Sequence, residues 1–295
     1  MKRWSIGVSL VVVLALVAVL LPIVRRVPRS EAAISIGHVH AGYQPTTGKL
    51  FILVIGNDAR QGNPNGALAD AIHLVGIDTR SMKAGILNFP RDCWVNIPGH
   101  GTNKINASLI DGGPELVAKT VESLTGIRIA YWVMTGFSGF YGLVRRLGGV
   151  KVDVPRDLND PSGSGAVMSA GVHKLAPLQA LSFVRDRHDF PNGDISRTSN
   201  QASFLLALLK KLRRQVAGNP ASLLKWMAIA QRYTRLDISL GELFRLAILA
   251  SDVSPKDVGN KTVPVSFGFE GAQSVVFISP QATAIYASFK KKAHF

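Results

Sequence analysis

From Ser5 to Val24 the chain carries no charge, and this run, S-I-G-V-S-L-V-V-V-L-A-L-V-A-V-L-L-P-I-V, constrains the fold more than any other segment. As a helix rising about 1.5 Å per residue it reaches across a hydrocarbon core of about 30 Å. Residues 1–26 are therefore predicted to form one transmembrane helix. Lys2 and Arg3 precede it while Arg25, Arg26 and Arg29 follow it, so the charge rule for orientation pulls both ways. With so few residues ahead of the helix, a signal-anchor with its N-terminus inside is the simpler topology, and it exports everything beyond Val24. A cleaved signal peptide is the alternative. Its apolar region would be unusually long, and the A-A-I near Ala32 makes a poor small-x-small cleavage site.

Beyond the helix the composition is that of a chain able to bury a core. Of 295 residues 47% are hydrophobic and 18% charged, which excludes disordered, collagen-like and disulfide-stapled classes. The single cysteine, Cys93, permits no internal disulfide and no cysteine-based zinc cluster, and reads as a small semi-buried apolar residue. Lysine and arginine number 34 against 19 acidic residues, a net charge of +15 that points to an anionic partner. Nucleic acid, anionic lipid and phosphorylated substrate all satisfy that charge. An exported domain seldom meets nucleic acid, and neither a groove-reading motif nor an aromatic stacking stripe is present.

Residues 27–48, with Pro28, Gly37, Gly42, Pro45 and Gly48, read as an extracytoplasmic linker, and the folded unit is expected to start at Lys49. Three apolar segments, 50–56, 71–78 and 84–90, are bounded by Gly, Asn, Asp and Pro and read as buried strands. Helical spacing covers 113–126 and 137–147, with strands at 128–134 and 150–155. A polar loop at 157–165 precedes a short helix opened by Pro177, and longer helical stretches cover 196–217, 220–234 and 239–252 before a strand-like 260–267. Strands and helices intermix, so the class is α/β or α+β with a central sheet covered by helices, in one domain spanning 49–267. Residues 268–295, with Lys290, Lys291 and Lys292 near the end, read as a solvated C-terminal tail.

Charged groups are scarce, so where they gather is informative. Asp58 and Arg60 follow the first strand, Asp70 opens the second, Arg91 and Asp92 end the third, and F-V-R-D-R-H-D-F gathers Arg185, Asp186, Arg187, His188 and Asp189. Arginine suits bidentate phosphate recognition, and carboxylates suit Mg²⁺, the usual partner of phosphates, so together they describe a phosphoryl-transfer site. Each group also has a plainer reading: Asp58 and Asp70 as turn residues, Arg185 and Arg187 on different sides of a helix with one of them solvated. His188 alone is weak, and His73, His100 and His188 have no metal-ligand spacing. No Walker A or G-x-G-x-x-G string is present, and the G-x-S-x-G around 163–165 is incomplete, so no Ser-His-Asp order can be drawn.

Seven segments in this order resemble the LytR-CpsA-Psr family of membrane-anchored cell-wall phosphotransferases. They are I-G-N-D-A-R (55–60), A-D-A-I-H-L-V-G-I-D (69–78), N-F-P-R-D-C-W-V (88–95), K-I-N-A-S (104–108), L-G-G-V-K-V-D-V-P (147–155), the L-x-x-x-x-A-L-x-F-V-R-D-R-H run (175–188) and D-I-S-R-T-S-N-Q (194–201). The resemblance implies an α/β fold, a central mixed sheet flanked by helices with an apolar pocket for a prenyl chain. It implies a transferase that moves a glycopolymer, such as a teichoic acid, from a polyprenyl-pyrophosphate carrier to a peptidoglycan hydroxyl through a phosphodiester, with Mg²⁺ assisting. Carried over by position, Asp58 and Asp70 hold metal and pyrophosphate; Arg60, Arg91, Arg185 and Arg187 hold phosphates, and Gln201 completes that set. Asp70, Arg91, Arg185 and Arg187 are the catalytic group, with Asp70 or a neighbouring carboxylate taking the hydroxyl's proton. Asp92, Lys104, Asn106, Asp194 and Arg197 match motif positions with a supporting or structural role.

Two departures stand out. Asn200 precedes Gln201 where the family carries arginine, which removes one expected phosphate contact, and N-F-P-R-D replaces the usual S-I-P-R-D. The partners implied are a polyprenyl-pyrophosphate-linked glycopolymer, peptidoglycan and the membrane, with the catalytic domain outside the cytoplasm on a single-pass anchor. Two other readings use the same residues: a tethered regulator or scaffold that binds anionic polymer without chemistry, and a lipid-pyrophosphate hydrolase. Asp58 and Asp70 weigh against the pure binder, since carboxylates left unneutralised beside a phosphate site repel the ligand.

Overall fold

A computed structural model describes residues 34–40, 48–58, 66–189 and 193–295. The predicted transmembrane helix lies outside the described residues, and among these no helix is long and apolar enough to cross a membrane. The chain begins with β1 (Ile34–His38), β2 (Lys49–Asn57), β3 (Ala69–Asp78), β4 (Lys83–Phe89) and a hairpin of β5 (Trp94–Ile97) and β6 (Gly101–Lys104). Helix α1 (Ser108–Thr125), kinked at Gly112 and Gly113, leads to β7 (Tyr131–Thr135) and α2 (Phe137–Arg146). Next come β8 (Val150–Val154), β9 (Leu158–Asp160), β10 (Ala166–Met168), β11 (Gly171–Leu175), α3 (Pro177–Arg185), α4 (Asp194–Gly218) and α5 (Ser222–Tyr233). The chain closes with β12 (Thr234–Leu236), α6 (Leu240–Asp252), β13 (Val258–Thr262), β14 (Val265–Glu270), β15 (Gln273–Ile278) and α7 (Ala282–Lys292).

Seven strands form one mixed sheet in the order β12-β1-β7-β2-β3-β4-β13. β2 runs parallel to β7 and antiparallel to β3, and β3 runs antiparallel to β4. Strand periodicity decides which helices cover which face. Phe51, Leu53 and Ile55 of β2 pack with α1 and α7 on one side, while Leu50 and Ile52 pack with residues of α4, α5 and α6 on the other. The result is the α/β sandwich expected, with a third apolar cluster where β8 and β9 meet α3 and α4.

Two domain boundaries and one strand differ from the sequence reading. Ile34–His38, assigned to the linker, is an interior strand of the sheet next to the edge strand β12, antiparallel to β7 and parallel to β12, with four of its five residues buried. Gly37 is there for close approach: a Cβ on it would sit 2.5 Å from Cζ2 of Trp132. Residues 268–295, assigned to a tail, supply the end of the β14–β15 hairpin and α7, and Phe289 is fully buried against Phe51 and Phe295. The lysines of that segment occupy the last turn of α7, where cations complement the helix dipole. The single strand expected over 260–267 is two, divided at Val263 and Pro264.

Candidate active site

β2, β4 and β7 all end at one edge of the sheet, the edge at which β3 begins, and chemistry gathers there as it does at strand ends in other α/β folds. Asp58 follows β2, Arg91 follows β4, and Gly136 and Phe137 follow β7. Asp70 owes its placement to a β-bulge. Gly56 pairs with Ala71 and Asn57 with Ala69, so Asp70 is the extra residue opposite that step, re-aimed out of the ladder.

Below this edge, between the sheet and α2 to α5, lies a cavity of about 590 Å³. Its walls are apolar, among them Ile36, Val54, Val133, Leu181, Phe204 and Leu208, and its polar lining includes Asp58, Asp70, Arg91, Arg185, Arg187 and Gln201. α3 stops at Arg185 and Asp186 is extended, so Arg185 and Arg187 reach one cavity instead of diverging around a helix. Asp186 between them is fully buried, and burial raises its carboxyl pKa. Arg185 lies over the Phe137 ring, 5.0 Å from its centre.

Arg91 organises the carboxylates. Its Nη1 donates to Oδ1 of Asp70, and its Nε is 3.7 Å from Asp92 and 3.6 Å from Asp194. Burial works against the guanidinium's charge, but Asp70 and Asp194 outweigh it and its pKa is raised. Lys104 Nζ lies 3.2 Å from Asp92, and Arg197 Nη2 donates to Asp194 at 2.9 Å. Burial raises the Asp194 carboxyl and lowers the Arg197 guanidinium, each partly offset by the other. Asn106 does not line the cavity; its side chain is buried and its backbone N–H donates to the Arg91 carbonyl at 3.2 Å. The C-terminal hairpin takes part too, since Val276 N–H donates to the Asp92 carbonyl at 3.0 Å.

Gln201 donates from Nε2 to the carbonyls of Val184 at 3.2 Å and Asp70 at 3.4 Å, tying α4 to the edge of the sheet. Asn200 turns away: it is buried, with Nδ2 3.4 Å from the Phe183 carbonyl. Arg60 lies outside the described residues. Cys93 is fully buried, and burial pushes its thiol pKa far up, so it is no nucleophile. Sequence reasoning weighed His73 only as a metal ligand and gave it no role at the site; its Nδ1 lies 2.8 Å from Asn88 Oδ1 and its ring borders the cavity from inside β3. Sequence reasoning missed Asp160, 2.9 Å from Nδ1 of His188 and likewise on the cavity wall. Neither has a local signal, because both pairings join residues distant in sequence.

The LytR_cpsA_psr family model matches residues 28–292, 265 of the 295 residues. The chain belongs to the LytR_cpsA_psr family. Among members, "Regulatory protein MsrR" of Staphylococcus aureus is 31% identical over 237 residues, 79% of this chain and 70% of MsrR. A Bacillus subtilis relative named polyisoprenyl-teichoic acid–peptidoglycan teichoic acid transferase TagT is 34% identical over 177 residues, 57% of this chain and 54% of TagT. The fold matches a solved structure of TagT with bound octaprenyl pyrophosphate lipid at a TM-score of 0.67 and 23% identity, covering 91% of this chain and 98% of that one. The LytR_cpsA_psr fold is thus present from β1 to α7, so Ile34–His38 and the C-terminal hairpin and helix belong to the domain.

Proposed function

We propose that this chain is a membrane-anchored phosphotransferase that moves a glycopolymer from a polyprenyl-pyrophosphate carrier to a hydroxyl of peptidoglycan. The observation that carries the reading is an apolar cavity of about 590 Å³ whose polar lining includes Arg91, Arg185, Arg187 and Arg197 with Asp58, Asp70 and Asp160. A prenyl chain needs the first, and a pyrophosphate the second. The family relative named as a teichoic acid transferase and the lipid named in the TagT structure support the same substrate class. Residues 1–26 would hold the domain at the membrane where such lipids reside.

In this reading Arg91, Arg185 and Arg187 bind the pyrophosphate oxygens, and Arg91 is aimed by Asp70 and Asp194. The Nε atoms of Arg91 and Arg197 are buried donors without a hydrogen-bond partner, the condition of a site built to receive anionic oxygens. Among the described residues no group of three or more His, Cys, Asp and Glu is placed to hold a metal ion. Mg²⁺ often binds through one or two carboxylates with substrate phosphates and water completing its shell, and Asp58 and Asp70 on the cavity wall fit that pattern. Bound there, Mg²⁺ would neutralise phosphate charge. The acceptor oxygen then bonds to the phosphorus that carries the glycan, and polyprenyl phosphate leaves while the arginines stabilise the developing charge.

The test is release of octaprenyl phosphate from an octaprenyl-pyrophosphate-linked sugar by the full chain in detergent with Mg²⁺, with and without a peptidoglycan acceptor. Acceptor-dependent release lost in Asp70→Ala and Arg91→Ala is the expected result. Release indifferent to acceptor would make the chain a hydrolase. The likeness to a protein named as regulatory favours one other reading, a non-catalytic binder of anionic polymer. It would stand if the lipid bound tightly with no release under any condition.

A further inference from the structure

The carboxylates nearest Arg91 are poorly placed to take a proton. Asp70 accepts from Arg91, Asp92 pairs with Lys104, and Asp194 pairs with Arg197, so each already engages a cation of the protein. A second polar cluster on the same cavity has the opposite character. Asp160, at the end of β9, accepts from the backbone N–H groups of Ser164 at 2.7 Å and Gly163 at 3.0 Å. Its other contact is Nδ1 of His188 at 2.9 Å. The Ser164 N–H first, and then the His188 ring, hold the Asp160 carboxyl down at about 2, so it is a fixed anion.

That geometry decides the tautomer. With Asp160 accepting only, Nδ1 of His188 must carry the proton, and in the neutral ring the lone pair is left on Nε2. The anchor is buried while the ring is presented: the Asp160 side chain is 8% exposed and that of His188 54%. Asp160, Gly163, Ser164 and His188 all line the cavity that holds Arg185 and Arg187, and His188 directly follows Arg187. The pair rests on Gly163, where a Cβ would fall 2.5 Å from both Asp160 oxygens and 2.6 Å from His188 Nδ1. The absence of a side chain at Gly163 therefore lets Asp160 and His188 meet at the cavity wall.

We propose that His188, oriented by Asp160, is the general base for the acceptor hydroxyl; this rests on the phosphotransferase reading above. As the hydroxyl oxygen bonds to the glycan-bearing phosphorus, its proton passes to Nε2 of His188. The P–O bond to the carrier breaks and polyprenyl phosphate departs with the electron pair. The imidazolium is stabilised by the Asp160 carboxylate and returns its proton to solvent. Imidazole is the side chain best matched to this task near neutral pH.

The test uses the full chain in detergent, an octaprenyl-pyrophosphate-linked disaccharide and a peptidoglycan oligomer. His188→Ala is expected to lower acceptor-dependent octaprenyl phosphate release by about 10²- to 10⁴-fold, the usual contribution of a positioned base. Binding of octaprenyl pyrophosphate and the thermal midpoint should be unchanged, and added imidazole should restore part of the rate. Gly163→Ala, which displaces the pair without removing it, should lower the rate in the same assay. His188→Ala within threefold of the parent rate would overturn the proposal alone, as would a loss matched by weakened octaprenyl pyrophosphate binding, which assigns the ring to holding the donor. A parent chain with no acceptor-dependent release would overturn the phosphotransferase reading together with the base assigned to it.

Discussion

Arg91 meets three carboxylates, and its neighbours in turn meet Lys104 and Arg197, so substitutions along this chain of charges will not behave alike. Arg91→Ala removes a donor at the mouth and is expected to cost at least about 10²-fold in turnover, the scale seen when one preorganised charge donor is lost. Steady-state kinetics on the folded variant reads this directly. Asp194→Ala has a structural effect as well, because Arg197, only 6% exposed, loses its bonded anion. The expected cost is about 3 kcal/mol, measured as a lower urea midpoint at constant slope. His73 supplies a pH signature. Burial lowers its pKa from 6.5 to about 4, so between those values the unfolded chain binds the extra proton and stability falls as pH falls. Thermal unfolding from pH 7 to pH 4 should show this loss, and His73→Gln should flatten it. At this scale Asp58, Asp70, Arg91, Arg185 and Arg187 were legible because each flanks an apolar strand or helix that fixes where it emerges. The pairing of Asp160 with His188 was not, since it spans 28 positions and forms only when the β9–β10 loop folds back on the turn after α3.

Strands β2, β3 and β4 were readable from unbroken apolar runs bounded by turn residues, and α4 from leucines at helical spacing. β1 and α7 were not, for the same physical reason in each: local composition concealed a role set by packing. I-S-I-G-H is short and holds a glycine, and only the Trp132 ring beside Gly37 explains why glycine belongs in that strand. The lysines of α7 suggest a solvated tail, yet Tyr286 and Phe289 on the same helix are buried in the core beside Phe89 and Phe51. Phe289→Ala should therefore destabilise the domain by about 3–5 kcal/mol, seen as a lower midpoint in chemical denaturation. If 268–295 were a free tail, the midpoint would not move. The hairpin preceding α7 also reaches the site through Val276 and the Asp92 carbonyl, so an element that looked peripheral holds the loop of Arg91 and Asp92 in place.

Across the whole molecule a basic domain places an apolar cavity and a cationic mouth in one continuous site, behind a sequence segment suited to a bilayer. Both halves of that site should be separable by substitution. Leu208→Glu, which puts a charge on the apolar wall, is expected to weaken octaprenyl pyrophosphate binding at least about tenfold. Inorganic pyrophosphate binding should hardly change, and Arg187→Ala should weaken both. Isothermal titration with the two ligands separates these outcomes. The central claim is transfer, and the most direct measurement is mass spectrometry of the products formed from an octaprenyl-pyrophosphate-linked glycan and a peptidoglycan oligomer. A glycan joined to the oligomer through one phosphate, with one octaprenyl phosphate released for each linkage, is the predicted result. Octaprenyl phosphate accompanied only by free phosphorylated glycan, or unreacted lipid bound to the protein, would contradict it.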